Sequence, residues 1–327
     1  MNKKKLPIHR IFLGVLALIV VLIVLRIRNW GTRIDLGSVR TFDNGEFDME
    51  VYDNIMPVTD ENGYILRREV KRILFFGNDP LTADLGKKDS LASLIAEGAD
   101  AEVINLAIPG SYLCSEDIFE FEGHPMDVFT PYVLAQQLYG NDMQVNFDTA
   151  ARVMQDALPD RAREVWETVK TLDLNTVDVV AFYYDDTDYL LDHQPYDPEV
   201  LTNIRSCSGN LAATVLLLRE KYPHLRFIVM GTHYCYHVGD HGKYEDAELY
   251  PNSYESLAGY SLWLYSVCSD RLGISFVDNY YGTITGENAS KYLSDERHVN
   301  RAGRKLLRDR FLYALRFYDH WETEEGA

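Results

Sequence analysis

The sequence predicts an α/β protein, a three-layer α/β/α sandwich around a five-stranded parallel, flavodoxin-like sheet. Short apolar runs recur at Ile73–Phe76, Val103–Ile108, Val177–Tyr184, Arg226–Met230 and Ile274–Val277. Helix-like patterns lie between and after them, at about 89–97, 147–172, 198–221, 253–272 and 299–318. Runs this short and apolar suit strands covered on both faces, and helical crossovers join parallel neighbours. Polar residues then gather just past the carboxyl ends of the runs, where open parallel sheets bind ligands. These stretches are Gly77–Thr82, Ile108–Ser111, Tyr184–Asp188, Thr232–His237 and the segment after Asp278.

The chain ahead of the first run has a different character. Lys3, Lys4, Lys5, His9 and Arg10 precede an unbroken apolar or Gly stretch from Ile11 to Leu25, closed by Arg26 and Arg28. A basic flank before an apolar core marks a secretory signal or signal anchor. Leu6 to Ile27 reaches the ~20 residues of a span if the Arg stems snorkel. No small-residue cleavage site follows Leu25, and Trp30 suits a membrane interface. The expectation is a cytoplasmic flank and transmembrane signal anchor over 1–30, single-pass in the cell membrane, with the remainder outside. Residues 31–70 read as a stalk and small hairpin, with turns at Asp43-Asn44-Gly45 and Glu61-Asn62-Gly63. Residues 71–327 read as one α/β domain, in which part of Tyr112–Asp173 is a lid or insert, being long for a crossover.

Charge divides at the same place. Residues 1–33 hold seven Lys/Arg and no acid, which leaves 25 basic against 50 acidic side chains in the rest. Such a domain repels nucleic acid and anionic surfaces. Its expected partners are neutral or cationic, sugars and metal ions included. Cys114, Cys207, Cys235 and Cys268 show no paired-ligand spacing. Outside the cytoplasm they could pair, but the connectivity is not readable. His233, His237 and His241 recur every four residues, yet Gly231, Gly239 and Gly242 place them in a loop rather than on a helix face, so a zinc site is not expected.

The chemistry-bearing stretches follow in order. The turn after the first run, "FFGNDPLT", offers no Ser or Cys. "NLAIPGSY" carries Gly110, and "VVAFYYDD" ends on Asp185 and Asp186. Near the C-terminus Asp295 and His298 stand three apart before a helix, a spacing that lets a carboxylate orient an imidazole base. The alternative for that pair is a helix cap and a first-turn surface residue.

This order, ending on Asp295-Glu296-Arg297-His298-Val299-Asn300-Arg301-Ala302-Gly303, resembles the SGNH/GDSL hydrolase superfamily over roughly Lys71 to Tyr318. The resemblance implies an SGNH-like fold in which a Ser after the first strand attacks an ester carbonyl. His298 would be the base, Asp295 its orienter, and the Gly110 N–H an oxyanion donor. Two registers place the missing Ser. Matching Gly77 puts Asp79 there; matching Asp79-Pro80-Leu81-Thr82 to Asp-Ser-Leu-Thr puts Pro80 there. The second is preferred, since three of four residues match without a gap. The family's oxyanion Asn falls on Asp185 or Asp186, where a carboxylate opposes the charge it should stabilise. Thr82 and Ser111 are surrogate hydroxyls in the right loops but outside the expected position.

Two functions stay open on this reading. One is a catalytically weakened or inactive relative that binds an envelope or secreted glycan, or assists a partner enzyme of glycan modification. The other is an active carbohydrate esterase or O-acyltransferase with a non-standard nucleophile. Neither implies a cofactor, and a metal held by Asp79, Asp185, Asp186, Asp188 and Asp295 with His298 and His233 is the lesser expectation.

Overall fold

The structure is a computed structural model that describes residues 51–319, apart from 60–62, 64, 67, 118–120 and 240–241. The expected anchor over 1–30, the Asp43-Asn44-Gly45 turn and His241 lie outside the described residues, as do Glu61 and Asn62. Among the described residues no helix is long and apolar enough to cross a membrane.

Among the described residues there are seven strands: β1 Arg72–Gly77, β2 Glu102–Asn105, β3 Val179–Tyr183, β4 Arg226–Met230, β5 Tyr236–Val238, β6 Tyr244–Asp246 and β7 Ser275–Val277. Five form one parallel sheet in the order β2-β1-β3-β4-β7. Every residue of β3 and all of Ile73–Gly77 are buried, which is why these strands read as continuous apolar runs. The helices are α1 Asp79–Thr82, α2 Leu91–Ala99, α3 Pro131–Tyr139, α4 Gln144–Met154, α5 Asp160–Thr171, α6 Thr187–Leu190, α7 Cys207–Lys221, α8 Leu257–Ser266, α9 Ala289–Tyr292 and α10 Arg301–Arg316. Ser90, Ser206 and Ser256 cap α2, α7 and α8, each side-chain oxygen accepting the N–H three residues on.

The departures from the expected elements have local causes. β2 stops at Asn105, whose side chain accepts the Ala107 N–H and donates to the Leu81 carbonyl, turning the chain out of regular strand. The helical stretch at 147–172 is two helices, broken before Pro159. α7 starts only at Cys207, because Asp197 and Asn203 spend their side chains on a turn network. The glycine-rich stretch read as a loop is instead a two-stranded hairpin, β5–β6. Part of 112–173, read as a lid or insert, holds a 3₁₀ turn at Pro125–Phe129 and then α3 to α5, with the Phe147 and Trp166 rings stacked 4.7 Å apart.

The α/β unit begins earlier than residue 71. Asn54 exchanges backbone hydrogen bonds with Phe276, adding a bridge at the β7 edge. Asp53 pairs with Arg310 of α10 and accepts the Asp278 N–H. Residues 51–58 are therefore part of the domain's wall, covering an edge that would otherwise present unpaired backbone.

β1 lies between β2 and β3, so the chain's connections diverge on its two sides. The crevice outside the carboxyl ends of β1 and β3 is the topological switch point, the standard ligand position in such sheets.

Candidate functional site

The site forms where β1 and β3 end. Gly77 closes β1 so tightly against β3 that a Cβ there would lie 2.3 Å from the Tyr183 carbonyl oxygen. Asn78, fully buried, ties the two strand ends together. Its amide donates to Asp185 Oδ1 at 2.7 Å and to the Ser111 carbonyl, and its oxygen accepts the Asp185 N–H. The next residue, Asp79, begins α1 with Pro80 and Leu81 tucked underneath.

Asp79 Oδ2 accepts the Gly110 backbone N–H at 2.9 Å. Gly110 has φ +69°, a left-handed conformation that aims its N–H into the crevice at little cost only for glycine. Burial raises the Asp79 pKa, and the neighbouring Asp185 charge adds to it; Gly110, Arg297 and His298 pull the other way. Of the two residues that the resemblance offers for the Ser position, Asp79 meets the Gly110 N–H and Pro80 is buried.

Asp295 and His298 sit on the approach to α10, both partly exposed. His298 Nδ1 lies 3.0 Å from each Asp295 oxygen, and Asp295 Oδ1 also accepts the His298 N–H at 2.8 Å. These hydrogen bonds overcome burial and hold the Asp295 pKa down to about 2. The Asp295 bond in turn raises the His298 pKa, and Asp79 acts on the same imidazole across the crevice. The helix cap is Asn300, whose oxygen accepts the Ala302 and Gly303 N–H groups, leaving Asp295 to the imidazole.

Between Asp295 and His298 the chain delivers Arg297 into the floor of the site, a residue the sequence pattern did not single out. Its Nη2 donates to Asp185 Oδ2 at 2.9 Å and to Thr187 Oγ1 at 2.8 Å. It also stands 2.8 Å from Asp186 Oδ1, close enough for charge attraction but off the axis of a hydrogen bond, so that oxygen has no donor. One guanidinium therefore serves two buried carboxylates. Burial works against the Asp185 charge, but Arg297, Thr187 and Asn78 hold its pKa below the ordinary value. Asp186 is pushed up to about 6 by burial and by Asp185. A two-residue spacer carrying Arg opposite an Asp-Asp pair is the sequence signal for this contact.

Other candidates lie elsewhere. Asp188 turns away from the crevice, its oxygens accepting the Leu113 and Cys114 N–H groups and meeting His193 Nδ1. His233 is a buried strut between the Tyr183 hydroxyl and the Arg297 carbonyl, and burial lowers its pKa. His237 Nδ1 faces the Asp246 carbonyl within the hairpin. A shared cation site for Asp188 and His233 with the crevice carboxylates is therefore not assembled, because each already serves a different structural contact. Ser111 and Thr82 donate their hydroxyls to backbone carbonyls, Ser111 to Gly77 and Ile108 and Thr82 to Asp79.

No protein-family model matches the sequence, and no curated protein matches it. Solved structures do. A protein from Lactobacillus plantarum superposes with a TM-score of 0.50 at 16% identity, covering 78% of this chain and 100% of its own. A "possible lipase" from Chitinophaga pinensis gives 0.46 at 9% identity, over 76% of this chain and 98% of its own. A protein from Desulfitobacterium hafniense, provisionally assigned to the G-D-S-L family of lipolytic proteins, gives 0.42 at 11% identity, over 75% and 99%. The chain is similar in fold to these structures, with its parallel sheet in the order β2-β1-β3-β4-β7.

Proposed function

We propose that this chain is a membrane-anchored, extracytoplasmic protein that has kept the hydrolase-like cleft as a binding site and lost serine-type ester chemistry. Its ligand is an envelope or secreted glycan, held for its own sake or for a partner enzyme of glycan modification. The Asp79–Gly110 contact carries this reading. A backbone donor that would stabilise a developing oxyanion is already bound to a carboxylate. Asp185, one of the two residues on which the resemblance puts the second donor, has no proton to give while Arg297 keeps it ionised. Losing one oxyanion donor costs ~3 kcal/mol of transition-state stabilisation, and an opposing charge adds to that. Carboxylates with spare lone pairs accept from hydroxyl donors and repel anions, which suits a neutral, hydroxyl-rich ligand.

The test is calorimetry of the full chain in detergent with neutral and O-acetylated oligosaccharides, beside hydrolysis of 4-nitrophenyl acetate. Binding without turnover is expected. Turnover that vanishes in His298→Ala would sink the non-catalytic reading.

A second reading has the intact Asp295–His298 pair behind it. As an esterase or O-acyltransferase, the protein would use the Asp79 carboxylate to attack an acyl ester, giving a mixed anhydride and an alkoxide that takes its proton from protonated His298 to leave as an alcohol. Water or a sugar hydroxyl would then cleave the anhydride, with His298 taking the proton.

A further inference from the structure

His233 follows β4 into the floor of the site, 1% exposed, with both ring nitrogens bonded. Nδ1 lies 2.9 Å from the Tyr183 hydroxyl, and Nε2 lies 2.9 Å from the Arg297 carbonyl oxygen. The proton positions follow from these partners. A carbonyl oxygen only accepts, so Nε2 carries the hydrogen. Burial lowers the His233 pKa, against the Arg297 bond and the Asp185 charge, so the ring is neutral and Nδ1 keeps a lone pair. Burial likewise raises the Tyr183 pKa, so its hydroxyl keeps its proton and donates to Nδ1. The result is a directed chain, from the Tyr183 O–H through the imidazole to the Arg297 carbonyl, with every buried polar group satisfied.

This chain joins two parts of the site. At one end Tyr183 closes β3, in register with Gly77 of β1. At the other, the Arg297 carbonyl and the His298 N–H belong to one planar peptide unit, so fixing the first aims the second. That N–H donates to Asp295 Oδ1 at 2.8 Å, and both Asp295 oxygens lie 3.0 Å from His298 Nδ1. Turning the plane away from His233 would swing the N–H off the carboxylate. We propose that His233 is a positioning residue, which by holding the Arg297 carbonyl sets the Arg297–His298 peptide plane and with it the geometry of the Asp295–His298 pair.

The neighbouring contacts leave this task to His233. The Glu296 carbonyl accepts the Tyr236 N–H at 2.7 Å, and the Glu296 carboxylate accepts the Tyr244 hydroxyl at 2.7 Å, which anchors the loop one peptide earlier. The His298 carbonyl accepts the Ser294 N–H and hydroxyl, one peptide later. The Arg297 guanidinium is engaged with Asp185, Asp186 and Thr187, which fixes its side chain but not the plane that follows it. Among the described residues no other donor reaches the Arg297 carbonyl.

The test needs neither ligand nor turnover, so its outcome is separate from that of the glycan reading. The full chain in detergent, labelled with ¹⁵N-histidine, is titrated by NMR, with His298 identified by His298→Ala. In the parent, His233 should be the Nε2–H tautomer and should not titrate between about pH 5 and 8. Asp295→Asn should lower the His298 pKa in the parent background. Beside His233→Phe, which keeps a flat ring and removes both hydrogen bonds, the drop should be less than about half as large. His233→Gln, which returns a side-chain N–H donor, should recover most of it; a Gln variant no better than Phe would count against the hydrogen bond as the cause. An equal drop in the parent and in His233→Phe would overturn the proposal, even where His233→Phe unfolds more readily in urea, for His233 would then be a strut alone. No drop in the parent would remove the pair that His233 is said to set. Should neither variant fold, the parent decides: an Nδ1–H tautomer, or a His233 that titrates along with His298, would overturn the proposal, and a fixed Nε2–H tautomer would support it.

Discussion

Asp79 and Gly110 are bonded to each other, carboxylate oxygen to backbone N–H, at 2.9 Å. The proposed loss of ester chemistry rests on this contact, in which the Gly110 N–H already has a carboxylate oxygen as its partner.

Undoing that contact should restore chemistry. Asp79→Ser frees the Gly110 N–H and presents a hydroxyl to the imidazole of His298. Hydrolysis of 4-nitrophenyl acetate should rise at least about ten-fold over the parent, and adding Asp185→Asn should raise kcat by a further ~10²-fold, the usual worth of one donor. Initial rates beside the same variants carrying His298→Ala provide the check. Rates indifferent to His298 would mean that the imidazole does not reach residue 79.

The register of this turn illustrates what could be read from the sequence and what could not. The strands are legible because burial on both faces leaves them apolar throughout. The Asp295–His298 pair is legible because its spacing is local. The arrangement of this turn depends on something letters do not record, namely the approach of Gly77 to the Tyr183 carbonyl, after which Asp79 meets the Gly110 N–H. Matching side-chain identities favours Pro80, since three neighbouring letters agree. Arg297 was similarly hidden, because its meaning depends on Asp185 and Asp186, more than a hundred residues away in the chain. The β5–β6 hairpin escaped because three-residue strands flanked by glycines carry no periodicity.

That backbone constraint gives a paired test. Gly77→Ala forces a Cβ against main-chain atoms that cannot rotate away, so it should cost ~3 kcal/mol or more in urea unfolding. Pro80→Ser should fold and remain without esterase activity, because residue 80 is buried. Activity in Pro80→Ser would favour the register that puts residue 80 at the Ser position.

The Asp295–His298 pair should be visible by NMR. Because the Asp295 hydrogen bond raises the His298 pKa, the imidazole should titrate above the ordinary ~6.5, and Asp295→Asn should bring it down. For stability, a raised imidazole contributes fully below ~6.5, and the contribution is lost as pH rises through the folded value. Asp295, held at about 2, contributes above ~3.9 and loses its contribution as pH falls toward 2. With side chains 44% and 36% exposed, screening should keep the pair below ~1 kcal/mol. An unchanged His298 titration in Asp295→Asn would show that the two do not interact in solution.

Arg297 should matter far more, and with the opposite pH signature. Arg297→Met leaves Asp185 and Asp186 buried without their cation, a loss of ~3–5 kcal/mol by the measure of broken buried pairs. Both carboxyls then have folded pKa values above their unfolded ~3.9. Such a group prefers to be protonated in the fold, so the variant loses stability as pH rises from ~3.9 through the folded values. The parent shows the same trend weakly through Asp186, whose pKa is already about 6. The difference between parent and variant should therefore widen from pH 5 to pH 8 in chemical denaturation. Adding Asp185→Asn and Asp186→Asn to Arg297→Met should remove most of the pH dependence, because no buried charge is left to titrate. A deficit of equal size at both pH values would mean that Arg297 acts by packing its stem, and the account of one guanidinium holding two carboxylates would have to be given up.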